Sequence, residues 1–161
     1  MTLERPLRVS LHTLVATGLF SLCLALGSGI WFLVSFLSFT GCVLLAAIRP
    51  GWHLGRGMVA LVVLVVLQVT TAEILVTGDV LVPAAHYLIL TQFVWMVSER
   101  NSRNYGWMGL LALLQLALSG ALSVGIGFGL CFALFLPVGI LTLLLLNLRC
   151  ELERNDLLKP S

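Results

Sequence analysis

The chain has 161 residues, 60% of them hydrophobic and 10% charged, with a formal net charge of +2. A soluble domain of this length carries about a quarter charged residues, so there is too little polar side chain here to cover a water-soluble globule. The nine Lys and Arg residues form no continuous basic tract, which excludes nucleic acid as a partner and leaves the lipid bilayer as the expected surrounding.

The first element is set by Val9 to Ile48, which contains no Asp, Glu, Lys or Arg. As one helix it would be about 60 Å long, twice the ~30 Å hydrocarbon core of a bilayer. It must therefore fold back, and Gly27-Ser28-Gly29 is the turn. Arg5 and Arg8 ahead of it resemble the basic start of a signal peptide. The apolar run outlasts a signal h-region, however, and a second span follows directly, so it reads as a retained first helix. The next apolar run, Met58 to Ser98, is interrupted by Glu73 and Asp79 alone, and Thr77-Gly78-Asp79 divides it. Trp107 to Leu148 is again without charge, and its turn falls at residues 123–127. Pro83 lies in the first turn of a helix, where its missing N–H is harmless. Pro137 lies inside one and predicts a kink.

Backbone polar groups in hydrocarbon must be satisfied within their own segment, and the two-residue alternation of a barrel strand is missing. The predicted fold is all-α: a single polytopic transmembrane bundle over residues 1–161. Its six helices form three hairpins at about 9–27, 30–48, 58–76, 80–98, 107–123 and 126–148, with a tail at 149–161 whose mixed charges could extend the last helix.

The cations give the orientation. Arg5 and Arg8 precede the first helix. Arg49 and Arg56 lie between the second and third, Arg100 and Arg103 between the fourth and fifth, and Arg149, Arg154 and Lys159 follow the sixth. All nine fall on one side of a six-helix arrangement, and a five-helix arrangement would split them. By the positive-inside rule that side is cytoplasmic. Both termini are expected inside and the protein in the cytoplasmic (inner) membrane, with Arg49, Arg56, Arg100, Arg103 and Arg149 as topology-determining residues. Trp52, Trp95, Tyr105 and Trp107 gather at the inner boundary and Trp31 at the outer one, as amphipathic rings do at headgroup level.

Polar residues inside the spans are the candidates for chemistry. Glu73 sits five residues before Gly78, about 7 Å below the outer turn, and His86 lies about 10 Å below Asp79 on the next helix. Similar depths on adjacent antiparallel helices let the two meet as an intramembrane polar pair. Interfacial snorkelling or structural pairing is the plainer role for them, a proton relay the sharper one. Gln68, Gln92 and Gln115 lie deeper. Gln115, Ser119 and Ser123 recur every four residues and share a helix face, which suits helix packing more than ligand binding. Gly125 and Gly129 have the spacing that permits close helix approach. Cys23, Cys42, Cys131 and Cys150 form no C-x-x-C, and mid-span cysteines act as small apolar fillers. The histidines have no i, i+4 ligand partner, and Gly51 to Gly57 lacks the Lys-Ser/Thr ending of a phosphate loop. No catalytic set, metal site or cofactor is expected in this chain.

The segment HYLILTQFVWMVSERNSRNYGWMGLLALLQLALSGALSV, continuing to LLNLRCELER, resembles the N-terminal membrane domain of the TgpA-type transglutaminase-like proteins. The points of likeness are Arg103-Asn104-Tyr105 in the polar loop, Leu114-Gln115 after it and Leu148-Arg149-Cys150-Glu151 at the close. The opening MTLERPLRVSLHTLVATGLFSLCLALGSG fits the same pattern, and Asn104 departs from it where the family usually has Asp. The resemblance implies an extracytoplasmic domain with a Cys-His-Asp triad after such a membrane region. No cysteine of this chain inherits that nucleophile's role. Its implied function is a membrane anchor or interaction domain, with the extracytoplasmic domain or other membrane proteins as partners. A small transporter or proton-linked protein using Glu73 and His86 is the alternative. A third reading is an enzyme acting on a lipid-borne substrate.

Overall fold

In a computed structural model the described residues are 4–48, 55–98, 102–123 and 125–157. They form six α-helices: α1 (Glu4–Leu26), α2 (Gly29–Ile48), α3 (Arg56–Thr77), α4 (Leu81–Met96), α5 (Ser102–Leu122) and α6 (Ile126–Leu157). No strand occurs among the described residues, and the fold is an all-α bundle. Four helices contain stretches long and apolar enough to cross a membrane: Pro6–Leu26, Gly57–Thr77, Arg103–Leu122 and Ile126–Leu152. The apolar stretches of α2 and α4 are shorter, Gly29–Leu45 and Leu81–Met96. At 16 residues α4 is about 24 Å long.

Each turn has a local cause. Gly27 and Gly78 both adopt positive φ, 62° and 70°, a conformation that a Cβ disfavours. At Gly78 the left-handed residue closes α3, its N–H bonding the Ile74 carbonyl at 2.9 Å. The Asp79 carboxylate then accepts the Leu81 N–H at 3.1 Å, an Asx turn that leads into α4. Pro83 is buried in the first turn of α4, and α6 runs through Pro137 without ending.

Three boundaries differ from the sequence reading, the first being α1, which begins at Glu4, five residues before Val9. α5 begins at Ser102, five residues before the apolar run, so much of the polar loop is helix. Arg103 is exposed there and, like any long cationic side chain at a helix end, needs no apolar surroundings. α6 extends to Leu157, nine residues past Leu148, carrying part of the charged tail as helix.

α1 is the central element, packed mainly on α5 and α6, while α4 joins α5 to α3. The core gathers Leu7, Leu11, Val15, Leu22, Ile89 and Ala112, all at most 1% exposed. α1 runs antiparallel to α2 and α6. His12 meets Phe39 and Phe20 meets Phe32, while Ser10 reaches Thr142 and Leu24 lies near Gly127. α5 runs parallel to α1, with Ser21 against Ser119. α4 and α5 are antiparallel, with Trp95 stacked on Trp107 at 6.2 Å. Arg8, Trp95, Trp107 and Arg149 are therefore at one end of the bundle, and the α3–α4 hairpin brings the start of α3 to the same end.

Much of the remaining surface is apolar: Leu75 is 82% exposed, Val76 87% and Leu130 68%. A water-soluble monomer rarely exposes contiguous apolar surface on this scale. Together with the four long helices, it marks a membrane-associated protein.

Candidate functional site

Glu73 and His86 meet. Glu73 lies one turn before the end of α3, and His86 is in the second turn of α4, so the tight turn at Gly78 places them side by side. His86 Nδ1 donates to the Glu73 carboxylate, 2.9 Å from Oε1 and 3.1 Å from Oε2. The carboxylate side is the more exposed one, with the Glu73 side chain 31% exposed against 11% for His86. Trp31 of α2 covers the imidazole in a stacked arrangement, ring centroids 3.9 Å apart and planes 20° from parallel. The site thus draws on three helices. The indole fixes the ring plane and the carboxylate fixes which nitrogen carries the proton. His86 Nε2 is buried and has no hydrogen-bond partner among the described residues. Chemically this is a carboxylate–imidazole dyad able to hold or pass a proton.

Below the dyad, buried polar side chains bond between helices. Gln115 Nε2 donates to the Leu88 carbonyl of α4 at 3.2 Å. Ser119 donates to the Ser21 carbonyl at 2.9 Å, which leaves the Ser21 hydroxyl to donate to Ser119 Oγ at 2.7 Å. Thr142 donates to its own helix at Val138, so Ser10 donates to Thr142 Oγ1 at 2.6 Å. Gln92 Nε2 reaches the Met108 carbonyl at 3.5 Å. In hydrocarbon such bonds each contribute about 0.6–2 kcal/mol to helix association. Ser123 stands apart from its expected partners: it lies just after α5, half-buried.

Gly125 and Gly129 do not bring α6 close to a neighbour. A Cβ on Gly129 would have nothing within 4 Å, and one on Gly125 would touch only the Ser123 hydroxyl at 3.8 Å. Both glycines are exposed because α6 packs through its other face, with Cys131, Phe135 and Thr142 buried. The close approach occurs instead at Gly18, where a Cβ would lie 2.9 Å from the Ala112 carbonyl oxygen. Ser10, Gly18 and Ser21 all face neighbouring helices from α1. Their small size within one apolar span was the available signal, since small residues are what let membrane helices touch. The stacking of Trp31 on His86 had no such signal, because it depends on where α2 lies against α4.

The cations assigned to topology divide. Arg49 and Arg100 lie outside the described residues. Arg56 opens α3, and Arg103 is in the first turn of α5. Arg149 of α6 places its guanidinium 5.0 Å from the centroid of the Tyr105 ring on α5, a cation–π distance. At the same end Asn104 donates to the Ser98 hydroxyl at 3.2 Å. Of the aromatic belt, Trp52 lies outside the described residues.

No group of three metal-ligating side chains occurs among the described residues. The Cys23 thiol donates to Ser35 Oγ at 3.3 Å. Two lateral grooves of about 500 and 520 Å³ flank α1. One is lined by apolar residues of α1, α2 and α6, and the other lies between α1 and α2 beside Arg8 and His12. No family model, curated protein or solved structure matches the chain.

Proposed function

We propose that the chain is a multi-pass anchor and interaction domain of the cytoplasmic membrane, crossing six times with both termini in the cytoplasm. Its kind is that of the membrane region of TgpA-type transglutaminase-like proteins, whose catalytic domain lies on the far side. The observation that carries this reading is the closed interior. Ser10, Ser21, Gln92, Gln115, Ser119 and Thr142, all buried, each bond across to a neighbouring helix, while Thr91 Oγ1, Gln92 Oε1 and Gln115 Oε1 are buried with no partner among the described residues. The two grooves beside α1 are walled mostly by apolar side chains. The contact of Arg149 with Tyr105 supports the resemblance, because it joins the loop and the closing helix that carry it. The test is the reading frame downstream of Ser161. Continuation into a domain with a Cys-His-Asp set, whose membrane attachment is lost when residues 1–161 are deleted, is the expected result. A stop codon there, with solute or proton flux through the purified chain in liposomes, overturns it.

A second reading, a proton-linked membrane protein, is favoured by the Glu73–His86 dyad at 2.9 Å and by the buried, unpartnered Nε2 of His86. In liposomes loaded with a pH-sensitive dye it requires proton flux that Glu73→Gln and His86→Ala each abolish. Flux absent from the unaltered protein leaves the dyad as a latch between α3 and α4.

A further inference from the structure

α3 stands on one neighbour only: α4 is the sole helix it packs against among the described elements. Its free face is not uniformly apolar. Leu61, Leu64, Val65, Gln68, Ala72 and Leu75 are all exposed and recur at three- and four-residue steps, the spacing of a helix–helix seam. Gln68 is at the middle of that seam. It is twelve residues from Arg56 and nine from Thr77, so about 18 and 14 Å from the ends of the helix and near the centre of a ~30 Å hydrocarbon core. Two exposed hydroxyls elsewhere in the spans, Thr40 and Thr71, bond the carbonyl four residues back at 2.8 Å and need nothing more. The Gln68 carboxamide has no hydrogen-bond partner among the described residues, and a bare amide in lipid is costly.

We propose that this face of α3 is the contact between two copies of the chain. The carboxamide selects that occupant. It is donor and acceptor at once, so it complements itself, and copies inserted the same way place their Gln68 groups at one depth. A two-fold axis normal to the bilayer then joins them by reciprocal N–H···O=C bonds, with Leu61, Leu64 and Leu75 packing above and below. A single polar residue in an apolar seam fixes register in this manner, and an isologous contact closes at the dimer.

The test is resonance energy transfer between donor- and acceptor-labelled full-length chains in phospholipid vesicles, diluted with lipid. Transfer should fall with dilution as for a monomer–dimer equilibrium. Gln68→Leu should weaken the dimer roughly eight- to several-hundred-fold, the equivalent of the two reciprocal interhelical bonds lost, and Gln68→Asn should retain part of it. Gln68 is outside the packed core, so the Leu variant keeps its helicity, which circular dichroism checks. With the native cysteines replaced by alanine, Leu64→Cys should cross-link chain to chain, whereas Thr70→Cys, buried at 6% exposure on the opposite face, should not. Three results overturn the proposal: no transfer at any protein-to-lipid ratio, equal dimerisation of Gln68→Leu, or cross-linking of Leu64→Cys only to a different membrane protein.

Discussion

At Gly18 a single hydrogen atom decides how closely α1 and α5 approach. A methyl group there meets the Ala112 carbonyl oxygen at 2.9 Å and Gln115 Oε1 at 3.1 Å, and the first of these is backbone that cannot swing aside. Gly18→Ala should therefore destabilise the bundle by about 1–3 kcal/mol, the usual cost of overpacking. Gly129→Ala, with open space around it, should not destabilise it and should gain from the better helix propensity of alanine. Unfolding of the two variants in mixed micelles compares them directly. The dyad gives a second contrast. Glu73→Ala leaves the buried Nδ1 of His86 without its acceptor, a loss of about 1–3 kcal/mol. Glu73→Gln keeps a carbonyl oxygen in reach of Nδ1 and should cost less. If the two variants unfold alike, the hydrogen bond contributes nothing to holding α3 on α4.

At the level of the helices, α1 and α5 are held by hydroxyls as much as by apolar contact. Lipid tails are as apolar as leucine, so burial alone gives little preference for one helix neighbour over another. The Ser21–Ser119 pair makes two bonds, at 2.7 and 2.9 Å. A double-mutant cycle with alanine at both positions should give a coupling of about 0.6–1.7 kcal/mol, and a cycle pairing Ser21 with Ser123 should give none. The helices themselves were legible in the sequence because uncharged runs of fixed length, broken by Gly78 or by arginines, have few other solutions in lipid. The depth argument that paired Glu73 with His86 used the same one-dimensional ruler. Azimuth was not legible. Which side of α6 faces inward, whether Gln68 points into the bundle or out of it, and that Trp31 lies over His86 all depend on helix neighbours far apart in the chain. That is why the Gly125–Gly129 spacing misled, while Gln115 and Ser119, on the face that α5 turns to α4 and α1, found partners. The starts of α1 and α5 fall outside the uncharged runs for another reason: hydropathy marks where lipid ends, and a helix can continue into the headgroups, as the charged tail allows α6 to do.

For the whole molecule, the alternating directions of the helices and the gathering of cations at one end are two views of a single arrangement. α1, α3 and α5 begin at the end where Arg8, Arg56 and Arg103 lie, and α6 leaves it at Arg149. The opposite end, with the turns at Gly27 and Gly78 and the end of α5 at Leu122, holds no Lys or Arg among the described residues. The proposed topology makes this asymmetry the cause of insertion, since the count of Lys and Arg in short loops sets orientation and acidic residues contribute little. Changing both Thr77 and Asp79 to Arg should then set the α3–α4 hairpin against the rest of the chain. An alkaline phosphatase fused after residue 80, which the proposed topology expects to be active in the unaltered protein, should lose activity as part of the population retains the hairpin in the cytoplasm. Changing Thr77 to Glu instead should leave the fusion active. The hairpin is the place where such a conflict shows first, because α3 touches only α4 and α4, at about 24 Å, is the shortest helix described. An inactive fusion in the unaltered protein, or an active one placed after Ser102, would place the turn on the wrong side and end the six-crossing reading.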